Sequence, residues 1–289
     1  MEKNKYLNKL VKVSIEVGNE IAYVQGGGGN TSVKLDNYRM AIKASGINLK
    51  DMTESSGFTV VDYSLLNEYL NSKHLDEDRF SKKISSYVVE TKNRPSIETG
   101  FHSVLGKYVI HTHSAFVNIL TCSEEGEEEV LNLFPNSYWV KYATPGRDLT
   151  IEVKDSIPDV LPKEGSVFLQ NHGLIVWAAS SKRAIQIHRD ISDCIIKSFG
   201  LSDFLFNKSI TYAPDRDQTR ILFPDQAVYT MASEDILVSD GAQETIYTYE
   251  YILENIQKVG LSPLFLPIGE ANKLLDMESE KYRQSLVKS

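Results

Sequence analysis

Residues 109–115, VIHTHSA, place two histidines one residue apart inside an apolar run. No other stretch restricts the fold as much. Successive side chains of a strand point to opposite faces, so on a strand His111 and His113 share one face and Thr112 takes the other. Two imidazoles on one face either end in solvent, as polar residues at a strand end, or meet a common partner such as a metal ion. The chain has only 6 histidines among 289 residues, so the second reading turns on a third ligand elsewhere.

Composition removes several classes of function. Apolar residues make up 42% and charged residues 24%, the balance of a globular chain able to bury a full core. A formal charge of −8 with no basic stripe argues against nucleic acid as a partner, while leaving room for small anions. The N-terminal segment recurs apolar at Leu7, Leu10, Val11, Val17 and Ile21. That is the pattern of an amphipathic helix rather than a signal peptide. No apolar run is long enough to span a bilayer. Cys122 and Cys194 have neither zinc-knuckle nor CxxC spacing, and Cys122 reads as a buried thiol in a reducing compartment, so a cytoplasmic protein is expected.

Along the chain, VQGGGGN reads as a loop, SVKL and YRMAIKA as a hairpin, and FTVVDY as a third strand. Residues 65–95 are polar, with a helix near the start and a charged loop around Asp76–Asp78. Pro95 is expected to open a helix, PSIETGFHSVL, with Ser96 capping it and Gly106 as its stop. YVIHTH follows as a buried strand, SAFVNILTCS as a short helix capped by Ser114, and the acidic EEGEEE as a solvated helix start or turn. SVFLQNHGLIVWA is strand, tight turn, strand, and SKRAIQIHRDISDCIIKSF a long amphipathic helix. Hairpins outnumber βαβ units, so the sheet should be mostly antiparallel, with helices on its faces. Residues 1–205 form the main domain, and 206–289, too short for a second core, should dock on it as an extension.

The third histidine is His172, in QNHGLIV, where Gly173 permits a sharp turn at a strand end. Three imidazoles without a fourth protein ligand describe an open site of the catalytic kind, suited to zinc, with manganese or cobalt as alternatives. Glu98 lies on the helix before the histidine strand, where a carboxylate near a metal is a natural acid/base. On spacing alone it could equally be a solvated helix residue hydrogen-bonded to His102 at i+4. The glycine loop ends in Asn30, and with Lys43, Ser45, Gly46 and Ser96 it offers amides, hydroxyls and an ammonium to an anion.

The segments GGNTSVKL, IKASG, PSIETGFH, IHTHS and LQNHG, in that order, resemble the class II (zinc-dependent) aldolase/adducin superfamily. That superfamily includes fuculose- and rhamnulose-phosphate aldolases and ribulose-phosphate 4-epimerase. PSIETGFH, YATPGR and MESEKYR are especially similar to the aldolase part of bifunctional rhamnulose-phosphate aldolase/dehydrogenase proteins. The resemblance implies a three-layer α/β/α fold around an antiparallel sheet, assembled as a homotetramer with sites between subunits. It makes His111, His113 and His172 the metal ligands and Glu98 the acid/base. Asn30, Ser45, Gly46 and Ser96 fall on positions that hold a substrate phosphate, while Ile97 removes one hydroxyl found in the small aldolases. The implied activity is metal-dependent aldol cleavage or condensation of a sugar phosphate through an enediolate. Epimerase, decarboxylase or dehydratase chemistry on the same site, and a noncatalytic adducin-like binding module, are the alternatives. A tyrosine is expected at the aldehyde oxygen, with Tyr138, Tyr142 and Tyr212 as candidates.

Overall fold

The computed structural model describes residues 2–72, 77–91, 93–231 and 233–277. In chain order the first half comprises α1 (Glu2–Gly18), β1 (Asn30–Lys34), β2 (Arg39–Lys43), β3 (Phe58–Asp62), α2 (Tyr63–Leu70), α3 (Glu77–Ser86), β4 (Val88–Glu90), α4 (Thr99–Val104), β5 (Tyr108–Thr112) and α5 (Ala115–Thr121). The second half comprises α6 (Gly126–Leu133), β6 (Tyr138–Val140), α7 (Arg147–Ser156), β7 (Gly165–Leu169), β8 (Gly173–Ala178), α8 (Ser181–Phe199), α9 (Pro224–Thr230), α10 (Glu234–Leu237), α11 (Asp240–Lys258) and α12 (Glu270–Asp276). The strands make one 8-stranded sheet in the order β4-β3-β2-β1-β5-β8-β7-β6. Every pairing is antiparallel except β6 with β7.

Alternation along the strands divides the core. Val33, Ala41, Val60, Ile110, Leu174 and Val176 face a layer built from α1, α5 and α8, whose Leu10, Val17, Val117, Leu120, Ala184 and Ile195 are buried against them. Val109, Val167, Ile175 and Trp177 face the opposite way, onto Phe101 and Leu105 below and Leu149 and Val153 of α7. The expected three-layer architecture is therefore present. Beyond α8 the chain runs irregularly to α9. From there α11 lays Tyr249, Ile252 and Ile256 against Ala115, Ile119 and Cys122 of α5, so the C-terminal helices extend one helical layer. Among the described residues, no helix is long and apolar enough to cross a membrane.

Several local expectations are corrected. Glu77 and Asp78 begin α3 rather than a loop, because Phe80 and Ile84 at i and i+4 pack on Leu66 and Leu70 of α2; Asp76 lies outside the described residues. The three-residue edge strand β4 follows, too short to show alternation. Pro95 bridges Ala44 instead of opening a helix, and α4 starts only at Thr99, with Glu98 at its N-cap. Ile21 falls beyond the end of α1. Ser114 occupies the N-cap of α5 without a side-chain cap bond. Of MESEKYR, only Met277 is among the described residues.

Thr112, on the face away from His111, bonds His188 Nε2 of α8 at 2.8 Å. Burial lowers the His188 pKa to about 3, whereas an unfolded imidazole takes up its proton near 6.5. The neutral form therefore supports folding fully above about pH 6.5, and that support drains as pH falls toward 3, at about 1.4 kcal/mol per pH unit. Denaturant unfolding at pH 7 and pH 5 should show a His188→Gln variant losing about 2 kcal/mol less than the parent chain over that interval. Equal losses would show that His188 charges inside the fold.

Candidate metal centre

The β5 alternation continues one residue past the strand, so Val109, His111 and His113 follow one another on the face that meets α4 and α7. Next to β5, the β7–β8 connection at 170–172 delivers His172. This turn holds its shape through Asn171, which adopts a left-handed φ of 53°. Gly173 then passes so close to β5 that a Cβ there would lie 2.1 Å from the Thr112 carbonyl oxygen. Glu98 arrives from the turn after Pro95, where Ser96 Oγ accepts from the Glu98 amide at 3.2 Å.

These segments bring four buried groups together: the ligand atoms of Glu98, His111, His113 and His172 all lie within 4.8 Å of one another. His111 Nε2 and His113 Nε2 are 3.1 Å apart. Glu98 Oε1 is 3.2 Å from His172 Nε2 and 3.6 Å from His111 Nε2. On their far sides, His111 Nδ1 donates to the Leu174 carbonyl at 3.0 Å, and His113 Nδ1 to Asp225 Oδ2 at 2.6 Å. Both imidazoles thus turn Nε2 toward the shared centre.

Burial sets the protonation of the cluster. Desolvation drives His111 well below its ordinary pKa and also lowers His172, leaving the neutral imidazoles that a metal requires. Burial alone would raise the Glu98 carboxyl, but the neighbouring imidazoles, His111 foremost, and the hydrogen bond to His172 hold it well below the usual carboxylate range. Asn30 Nδ2 also donates to Glu98 Oε2 at 2.6 Å, which favours the ionised form. A buried carboxylate among three imidazoles, with ligand atoms this close, fits a divalent metal ion.

Asn30 is itself held. His102 Nε2 donates to Asn30 Oδ1, and His102 Nδ1 meets Ser32 Oγ at 2.7 Å. Burial lowers the His102 pKa to about 3, so the ring is neutral, with one donor and one acceptor. The direct His102–Glu98 pairing considered from spacing is replaced by this relay, Ser32 to His102 to Asn30 to Glu98.

A cleft opens from the cluster, lined by Asn30, Ser45, Gly46 and Ser96 together with Lys43 and Ile97. All four residues expected around a phosphate therefore reach one cavity. The tyrosine candidates do not. Tyr138 stacks on Trp177, Tyr142 donates to Glu270, and Tyr212 packs on Phe206 and Tyr247, and no tyrosine is among the cleft's described lining. Sequence reasoning missed Asp225, which also lines the cleft. Its local signal, Pro224 and an acid in the first turn of α9, is that of any helix start.

A profile of the class II aldolase and adducin N-terminal domain matches residues 8–194. The chain belongs to this family. Among curated relatives, a methylthioribulose-1-phosphate dehydratase from Pectobacterium atrosepticum is 26% identical over 204 residues, covering 64% of this chain and 88% of the relative. The N-terminal class II aldolase domain of a conserved Thermoplasma acidophilum protein has the same fold, with a TM-score of 0.60, 23% identity, and coverage of 66% of this chain and 92% of that one. An aldolase II superfamily protein from Pseudomonas syringae gives a TM-score of 0.52 at 14% identity, over 69% of this chain and 76% of that one.

In this class II aldolase family member, α9 and the segment after α11 are clamped to the ligand-bearing turn. Asn171 Nδ2 donates to the Leu222 and Leu264 carbonyls at 2.9 and 2.6 Å. Asn171→Ala should cost about 3 kcal/mol, since it leaves two carbonyls short of a donor and puts a Cβ residue without a compensating amide in the left-handed region. Asn171→Gly should recover about 1 kcal/mol of that by relieving the backbone. Urea unfolding of the three proteins checks both values.

Proposed function

We propose that the chain is a metal-dependent lyase of a phosphorylated ketose, which removes the proton next to the substrate carbonyl and expels water from the following carbon. The observation that carries this reading is Glu98, a buried carboxylate clustered with three imidazoles and oriented by Asn30. A carboxylate aimed into the cleft in this way can serve as the acid/base. A divalent ion in the cluster would supply a Lewis acid for the negative charge that develops on the carbonyl oxygen. Glu98 would take the carbon-bound proton as the electron pair moves toward the carbonyl oxygen, and would then return that proton to the neighbouring hydroxyl, which leaves as water. Asn30 and the His102 relay keep the carboxylate aimed. Lys43, Ser45, Gly46 and Ser96 meet the phosphate end and fix which carbon faces Glu98.

Dehydration is favoured over aldol cleavage on two grounds. The curated relative described above is named as a dehydratase. Aldol cleavage also releases an aldehyde whose oxygen needs a proton donor, and no tyrosine lines the cleft among the described residues. Zinc is the preferred ion for three neutral imidazoles, with manganese or cobalt able to replace it. A cytoplasmic homotetramer binding a small sugar phosphate completes this reading.

Incubating metal-loaded protein with a panel of ketose 1-phosphates should yield a product lighter by one water, detected by mass spectrometry. Release of dihydroxyacetone phosphate instead would assign aldol cleavage. Elemental analysis should find one divalent ion per chain, and His172→Ala should abolish both the ion and turnover without loss of far-UV circular dichroism. Glu98→Gln preserves shape but cannot accept the proton. Turnover and solvent-deuterium exchange into the substrate should fall roughly 10²- to 10⁴-fold with metal content unchanged, and normal exchange would remove Glu98 from the reaction.

A further inference from the structure

We propose that Asp225 is a positioning residue for the metal ligand His113, so that the affinity of the centre for its ion depends on the docking of a segment outside the family-matched residues 8–194. This inference rests on the metal-centre reading above. The contact is short and dry: Asp225 Oδ2 lies 2.6 Å from His113 Nδ1, with Asp225 1% and His113 4% exposed. His111, inside the β5 ladder, orients its ring on a main-chain carbonyl of β8. His113 lies one residue beyond the strand, where its orienting acceptor comes from elsewhere in the chain. A carboxylate accepting from Nδ1–H fixes the tautomer, leaves the Nε2 lone pair for the ion and makes the ring a stronger ligand.

Three separate segments are shaped around this contact. In the glycine loop, a Cβ on Gly28 would sit 2.5 Å from Asp225 Oδ2 and 3.0 Å from His113 Nδ1. Glycine at this position therefore gives the pair its clearance. In the β7–β8 turn, Asn171 grips the Leu222 carbonyl. At the start of α9, Gln226 Oε1 accepts from the Leu222 amide at 2.7 Å, and Phe223 is buried with α5 and α11. The backbone leading into Asp225 is thus held on both sides. A residue serving only to start α9 would need neither the clearance at Gly28 nor an aim at a ligand.

The test uses the full chain stripped of metal and titrated with zinc against a chelating indicator, with cobalt absorption as a spectroscopic signature of ligand geometry. Asp225→Ala should weaken zinc binding 10- to 100-fold and change the cobalt spectrum. Asp225→Asn, which keeps an acceptor but loses the charge, should fall between it and the parent and carries the comparison if the alanine variant fails to fold. Gln226→Ala loosens the same helix start without touching His113, and should lower stability while weakening zinc binding less than Asp225→Ala does. The inference is overturned if both Asp225 variants bind zinc as the parent does, or weaken it no more than Gln226→Ala. A parent chain that binds no zinc, cobalt or manganese would overturn the metal-centre reading and this inference together, which separates the two failures.

Discussion

The rest of the site depends on the burial of one carboxylate among three imidazoles. Removing an ionised carboxylate from water costs several kcal/mol unless other groups replace its hydration. Glu98 is only 7% exposed, and the replacements are visible: Asn30 donates to one oxygen while His172 and His111 approach the other. The imidazoles cannot all be charged in so small a volume, and desolvation keeps His111 and His172 neutral. At two of the three imidazoles the donor is satisfied outward, at His111 by the Leu174 carbonyl and at His113 by Asp225, so that Nε2 of each faces inward. Such an arrangement fits a divalent cation at its centre.

The sheet makes this crowding possible. Antiparallel pairing of β5 with β1 and β8 sets Asn30 beside His111 and carries His111 opposite Ile175. Asn30 and His111 therefore take their places from ladder register, whereas His172 comes from the β7–β8 turn and Glu98 and His102 from the start and body of α4. Loops then add what strands cannot. The glycine segment clears the Asp225–His113 contact, and the bridge between Ala44 and Pro95 brings Ser45 and Ser96 to one wall of the cleft.

Much of this was legible in the sequence, and the reasons for the remainder are physical. Two histidines at i and i+2 in a short apolar run share a face once the run is a strand, and His111 and His113 share it. His172 and Glu98 followed from the order of motifs that carry the family resemblance. The onset of α4 was misplaced because proline at a first helical turn and proline in an extended bridge look alike until a partner strand is known, and here the partner is Ala44, 51 residues earlier. Asp225 stands 112 residues from His113, behind an irregular stretch with no periodicity to read. The tyrosines failed for the opposite reason. With 15 in the chain, residue type carried little information, and those proposed serve aromatic packing or hold Glu270.

Charge balance connects the extension to the chemistry. Glu98 and Asp225 bring two carboxylates to a cluster of three imidazoles, enough to match a divalent cation and leave the centre close to neutral. On the proposed reading, the substrate phosphate would fall to Lys43, the Ser45 and Ser96 hydroxyls and the Gly46 backbone, which line the same cleft. Separating the two negative ends of the problem matters for proton abstraction. A phosphate drawn onto the ion would compete with the carbonyl for the same coordination positions, whereas a phosphate held by Lys43 leaves the carbonyl facing the ion and the adjacent carbon facing Glu98. On the proposed reading, the C-terminal helices would take part in the reaction through Asp225, which meets His113 at 2.6 Å.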